Sequence, residues 1–208
     1  MLIVHLLCKN GHHETWHSQP FVRDRALGNL RLACGMVLSG LRFESVSEFL
    51  RFSQVTFISN DTFYEIQRTI LQPVINEFWQ LDNNRVIEKA KRENGVKLSG
   101  DGQCDSPGHS AKYGIYSFLN QSTNEIVSFR LTQVTEAGNS NAMEKFGMIK
   151  NLEYLRSRDV NVKQITIDRH ISCRKYIAEK ETTIELQFDV WHFSKSIKKK
   201  LCALAKKK

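Results

Sequence analysis

The sequence predicts an α/β chain of the α+β kind, a mixed sheet with helices on its faces, preceded by a small all-helical region. Three observations predict it. Residues 25–92 place apolar side chains at helical spacing. Three β-rich runs follow one another between 96 and 134. From 140 onward, helix-period and strand-period segments alternate. Three strands in succession followed by alternating helix and strand describe a mixed sheet.

Residues 1–20 are rich in His and Trp (CKNGHHETWHSQP) and show no clear period. ALGNLRLACGMVL and SVSEFLRF then read as helices, followed by a long one in NDTFYEIQRTILQPVINEFWQLDNNRVIEKAKR. Its Asn/Asp/Thr cluster predicts the cap, and Phe63, Ile66, Ile70, Val74 and Phe78 make its stripe. Pro73 predicts a kink, because proline lacks the amide hydrogen and crowds the preceding turn. VKLSGD is a short strand ending in Gly-Asp, and KYGIYSFLN and EIVSFRLTQV form a hairpin across the turn-like QSTN. NAMEKFGMIKNLEYLRSR is an amphipathic helix with Met143, Phe146, Ile149, Leu152 and Leu155 on one stripe. NVKQITID is a strand, HISCRKYIAEK a helix, TIELQFD a strand, and VWHFSKSIKKKLCALAKKK opens a last helix.

The bulk numbers exclude several classes. In 208 residues, 41% are hydrophobic and 25% charged, the balance of an ordinary globular chain with one sizeable core. No apolar run is long enough to span a membrane. The apolar opening MLIVHLL has no basic residue before it and no small-residue cleavage site after it, so secretion is not expected. Five unpaired-looking cysteines (8, 34, 104, 173 and 202) read as reduced thiols of the nucleus or cytosol. The formal charge of +8 is a terminal feature. Seven of the thirty Lys and Arg lie in residues 195–208 without an acid, and the remainder carries 23 basic and 22 acidic residues.

Two predicted strands end at acids, Asp101 and Asp168. Side chains at strand ends leave the core and converge on a crevice, and two carboxylates meeting there repel each other unless a divalent cation lies between them. A pair of that kind suits metal-assisted phosphoryl transfer. Taken singly, either acid also fits a plain loop or helix cap.

The segments around these acids carry more. SGDGQCDSPGHSAKYGIYSF, NSNAMEK, TIDRH and QFDVWHFSKSIKKKL together resemble the DDE/D transposases of eukaryotic cut-and-paste elements, nearest the Kolobok-like group and akin to the Mutator-like and hAT groups. The resemblance runs from about TWHSQP to the terminal lysines. It implies a ribonuclease H-like catalytic core over 96–189, whose element order is the one read above. Asp101 and Asp168 match the first and second catalytic carboxylates and metal ligands, with Mg2+ or Mn2+ as the cofactor. Asp189 and His192 match the accessory Asp/Cys-x-x-His signature; Asp105, in the same motif as Asp101, ranks below it as a ligand. The implied activity is metal-dependent DNA strand cleavage and transfer, with double-stranded DNA as partner, a homo-oligomer, and a nuclear address.

One departure bears on activity. The third acid of the family, usually Glu on a later helix, has no counterpart, since no Glu follows Asp189 and Glu179, Glu181 and Glu185 all come before it. A truncated or domesticated copy with little or no nuclease activity is therefore expected. The alternative is a non-catalytic DNA-binding or interaction protein. Residues 190–208 would begin a helical insertion exposing Ile197, Leu201 and Leu204, and Lys195, Lys198, Lys199 and Lys200 would face phosphates. Within 21–95, residues 45–71 could form a helix-turn-helix whose Arg51 and Arg68 meet the backbone. Residues 1–20 would be the remnant of a zinc ribbon. Cys8, Gly11-His12 and the scattered His5, His13 and His17 do not assemble four ligands at usual spacing, so zinc is not expected.

Overall fold

The computed structural model describes residues 1–107, 110–168 and 170–205, apart from the side chains of residues 191–193, 196, 199, 200 and 203. The chain divides into two compact units, Met1–Trp79 and Gln80–Lys208.

The first unit opens with two antiparallel hairpins that the sequence did not announce. One joins β1 (Ile3–Leu7) to β2 (His13–His17), the other joins β3 (Phe21–Val22) to β4 (Arg25–Ala26). Residues 1–20 are thus a paired ribbon, not irregular chain. Polar and apolar side chains are mixed on both sides of the ribbon and most are exposed, so no burial period was there to read. Three helical segments follow: α1 (Leu27–Leu38), α2 (Phe43–Phe52) and α3 (Asn60–Ile66). Gln19 caps α1 from outside the helix, its Oε1 accepting from the Gly28 and Asn29 amides. Ala33, Met36, Phe43, Phe63 and Ile66 form a core of their own, so the apolar stripe of the proposed reading helix is spent on packing.

Two details of the long helix differ from expectation. The cap is Ser59, one residue earlier than the predicted cluster, and its Oγ accepts from the Thr62 amide at 3.2 Å. In place of a simple proline kink, α3 passes through a π-helical turn at Gln67–Leu71 into α4 (Gln72–Lys91). Pro73 cannot donate to the carbonyl four residues earlier, and the widened turn absorbs that mismatch. Of the predicted stripe, Val74 and Phe78 are exposed.

The second unit holds the sheet. Its strands are β5 (Val96–Cys104), β6 (Tyr113–Asn120), β7 (Glu125–Gln133), β8 (Val162–Ile167) and β9 (Glu185–Phe188), in the order β7-β6-β5-β8-β9. β5–β6 and β6–β7 are antiparallel, β5–β8 and β8–β9 parallel, so the sheet is mixed as predicted. The β6–β7 hairpin turns at Asn124, in the left-handed region at φ 60° that asparagine tolerates. α5 (Val134–Ala137) and α6 (Ser140–Ser157) lie between β7 and β8 in sequence, α7 (Ile171–Lys180) between β8 and β9, and α8 (Val190–Ala205) follows β9. α6 starts at Asn139, whose Oδ1 accepts from the Ala142 amide.

Strand alternation decides where the core sits. Val96, Leu98, Tyr116, Phe118, Ile165 and Ile167 point to one face. There they meet Val86, Ile87 and Ala90 of α4, Met148, Leu152 and Leu155 of α6, and Cys173 and Ile177 of α7. The predicted α6 stripe is borne out at Met143, Leu152 and Leu155, while Phe146 and Ile149 are half-buried. Helices on both faces were expected; among the described residues the buried core occupies one. Ile115, Leu131 and Ile126 on the opposite face stay exposed, and Ser99, Asp101, Ser117 and Thr166 share that face.

Candidate functional site

The two parallel pairings at the middle of the sheet bring three acids together. Ser99 of β5 pairs with Thr166 of β8, and Ile167 of β8 pairs with Phe188 of β9. Asp101 lies two residues beyond Ser99, Asp168 two beyond Thr166, and Asp189 one beyond Phe188. The Asp189 amide donates to the Ile167 carbonyl at 2.9 Å, which holds the last acid beside the second. Neighbouring strands lie about 4.8 Å apart, so the three carboxylates leave successive strands toward one end of the sheet. All three line a single cavity of about 630 Å³ with Ser99, Ser117, Gln121, Thr166 and Gln187.

Asp101 is placed differently from the predicted strand end. β5 runs on to Cys104 because its antiparallel partner β6 continues to Gly114, while β8 has already stopped. Asp101 therefore sits on a strand paired on one side only. Its Oδ1 accepts from the Gly102 amide at 2.9 Å, and Asp168 Oδ1 accepts from the His170 amide at 2.8 Å. The floor is polar. Gln121 Nε2 donates to Ser99 Oγ at 3.0 Å and to Thr166 Oγ1 at 2.9 Å, and Gln164 Nε2 donates to Gln187 Oε1 at 3.0 Å.

The glycines flanking Asp101 serve close approach. A Cβ at Gly100 would collide with the Tyr116 hydroxyl and come within 2.8 Å of the Phe118 ring, and one at Gly102 would lie 2.7 Å from Glu144 Cγ. Glu144 thus comes up against β5 from α6, next to Asp101. Burial and the negative charges of Asp168 and Asp101 push its carboxyl up, while the nearby His170 opposes the shift. Burial likewise pushes the Cys173 thiol well up. Glu144 Oε2 lies 3.7 Å from His170 Nε2, and the Cys173 thiol faces Glu144 Oε1 at 3.8 Å. Sequence reasoning missed Glu144, His170 and Cys173 as a group. The legible signals were the glycine after Asp101 and the His-x-x-Cys spacing at the start of α7.

The other predicted residues are distributed as follows. Asp105 accepts from the Lys112 amide and from Ser106 Oγ and so ties the loop after β5. Glu181 is buried against Arg156, Glu179 pairs with Lys175, and Glu185 accepts from Gln187, so these three acids are engaged elsewhere. Lys195 and Lys198 are exposed on α8; the side chains of His192, Lys199 and Lys200 lie outside the described residues. Arg68 is exposed on the π-helical turn of the first unit, and Arg51 is exposed on α2. In the β1–β2 turn Cys8 Sγ and His12 Nδ1 approach to 3.3 Å, two of the four donors that a zinc ribbon would need.

No protein-family model and no curated protein matches the chain. Among the described residues, no helix is long and apolar enough to cross a membrane.

Proposed function

We propose that the chain carries a ribonuclease H-like core of the cut-and-paste transposase type, in which Asp101 and Asp168 hold a divalent cation against double-stranded DNA; with no counterpart of the family's third acid, little or no strand cleavage is expected of it. The observation that carries the reading is that Asp101, Asp168 and Asp189, on or just beyond three successive parallel strands, all line one cavity. An all-oxygen set of this kind fits a hard cation such as Mg2+ or Mn2+. When bound, the cation supplies an activated water and stabilises the leaving 3′ oxygen. The chain's own part is positional. Asp101 and Asp168 gain an attraction that offsets their mutual repulsion. Asp189 stands at the third tip, and the floor of Ser99, Gln121 and Thr166 offers hydroxyl and amide groups to a phosphodiester. With the cation bound and a complete set of acids, water would add to phosphorus as the P–O3′ bond breaks, its proton passing to the leaving oxygen, and Asp101 and Asp168 would be the residues that hold the cation.

A second reading, a non-catalytic DNA-binding protein, draws on the exposed Lys195 and Lys198 of α8. The two readings separate by experiment. On the first, Mn2+ binds the purified chain, and Asp101→Asn and Asp168→Asn each weaken it by about tenfold or more, roughly 1.4 kcal/mol. Mg2+-dependent nicking of a DNA duplex, abolished by either variant, would add catalysis to cation binding. Unchanged Mn2+ affinity in both variants, with DNA binding that is salt-sensitive but cation-independent, would overturn the first reading in favour of the second.

A further inference from the structure

Behind β5, on the helix-covered face of the sheet, three side chains of different donor type converge. Glu144 comes from the first turns of α6, His170 is the cap residue of α7, and Cys173 lies in the first turn of α7. One donor atom from each lies within 4.8 Å of the other two. Glu144 Oε2 lies 3.7 Å from His170 Nε2, and the other carboxylate oxygen, Oε1, lies 3.8 Å from Cys173 Sγ.

Those separations are informative. A tetrahedral ion with bonds of roughly 2.0 Å to nitrogen or oxygen and 2.3 Å to sulfur sets its donors about 3.3–3.6 Å apart. The two approaches to Glu144, one to each carboxylate oxygen, slightly exceed that range, and all three donors lie within 4.8 Å of one another, so side-chain torsions would have to draw them together around one ion. The imidazole is already turned the right way. Its Nδ1 lies 3.1 Å from Ser172 Oγ, which leaves Nε2 toward Glu144, the kind of outer partner that orients ligating histidines. Gly102 contributes by absence, since any side chain there would displace the Glu144 stem.

Donor softness separates this cluster from the aspartate cleft. Carboxylates alone suit Mg2+, whereas thiolate and imidazole select ions of the zinc class. We propose that Glu144, His170 and Cys173 form a three-ligand site for a borderline divalent ion such as Zn2+ or Co2+, with the fourth position left to water. Binding forms a metal–sulfur bond and releases the thiol proton to solvent, so affinity rises with pH. Sequence spacing does not reveal the set, because folding rather than chain proximity brings α6 to α7. The proposal stands apart from the transposase reading and needs no DNA chemistry.

The test is Co2+ titration of the full chain, followed by the thiolate-to-cobalt charge-transfer absorption. One equivalent should produce the band, and Zn2+ should displace it. Cys173→Ser should abolish the band while circular dichroism remains that of the wild type. His170→Asn keeps a good cap residue on α7, so it should fold, and it should bind Co2+ about tenfold or more weakly. Asp101→Asn should leave the band intact while weakening Mn2+ binding. No band in the wild type, a band that survives Cys173→Ser, full affinity in His170→Asn, or loss of the band in Asp101→Asn would each overturn the proposal.

Discussion

The same substitution at two helical glycines should change stability in opposite directions. Gly35 lies in α1 with nothing within 4 Å of where a Cβ would be. Gly35→Ala should therefore gain the helix-propensity difference of roughly 0.8–1 kcal/mol. Gly147 lies in α6, and its Cβ would meet Tyr116 Cβ at 2.8 Å. Tyr116 is 1% exposed, its carbonyl accepts from Asn151 Nδ2 at 2.8 Å, and the colliding atom is rooted in the backbone of β6. It cannot swing away, so the overpacking cost belongs near the upper end of about 1–3 kcal/mol. Against a propensity gain of about 1 kcal/mol, Gly147→Ala should lose about 2 kcal/mol net. With a urea slope of about 2 kcal/mol per molar, the midpoint should fall by roughly 1 M in Gly147→Ala and rise by roughly 0.4 M in Gly35→Ala. The assay is urea unfolding followed by far-ultraviolet circular dichroism. A Gly147→Ala midpoint equal to or above the wild type would refute the reasoning, because α6 would then not be seated on β6 as described. The outcome bears on the site, since the same seat places Glu144 beside Asp101.

Two further outcomes are expected. Glu125, bonded by Lys89 Nζ at 2.9 Å and Arg85 Nη1 at 2.7 Å, has its carboxyl held down to about 2 by those two partners. Its folded value lies below the ordinary one, so its contribution is present above about pH 4.3 and is lost as pH falls through about 2. Glu125→Gln should lower the urea midpoint at pH 7 and barely change it at pH 2; equal losses at both would contradict the ion pairing. Thiol labelling of the native chain, mapped by mass spectrometry, should modify Cys8, Cys104 and Cys202 first and Cys34 more slowly, with Cys173 reacting only after unfolding. Early modification of Cys173 would mean that the cluster with Glu144 is open to solvent.

Much of the second unit was legible because its signals are local. The QSTN turn, the alternation in KYGIYSFLN and the stripe from Met143 to Leu155 each lie within a few residues of what they specify. The N-terminal hairpins were not legible, since an exposed two-stranded ribbon buries no side-chain pattern. The end of β5 was misjudged at Asp101 because strand length is set by the partner: β6 carries the pairing on to Cys104 after β8 stops. Helix cover on both faces was expected from element order, but order says which elements exist and not which face each one takes.

By itself, the order of residues determined that Asp168 and Asp189 would each follow a strand and that Asp101 would lie on one, because apolar β-rich runs giving way to an acid are a local pattern. Only the tertiary structure decided that the three share one cavity, since that depends on β5, β8 and β9 being parallel neighbours. It also decided that Glu144 meets His170 and Cys173. Residues 26 and 29 positions apart come together there because two glycines and a buried tyrosine allow α6 to lie close against β5 and β6. Close approach of that kind is a property of packed surfaces, and no single stretch of chain encodes it.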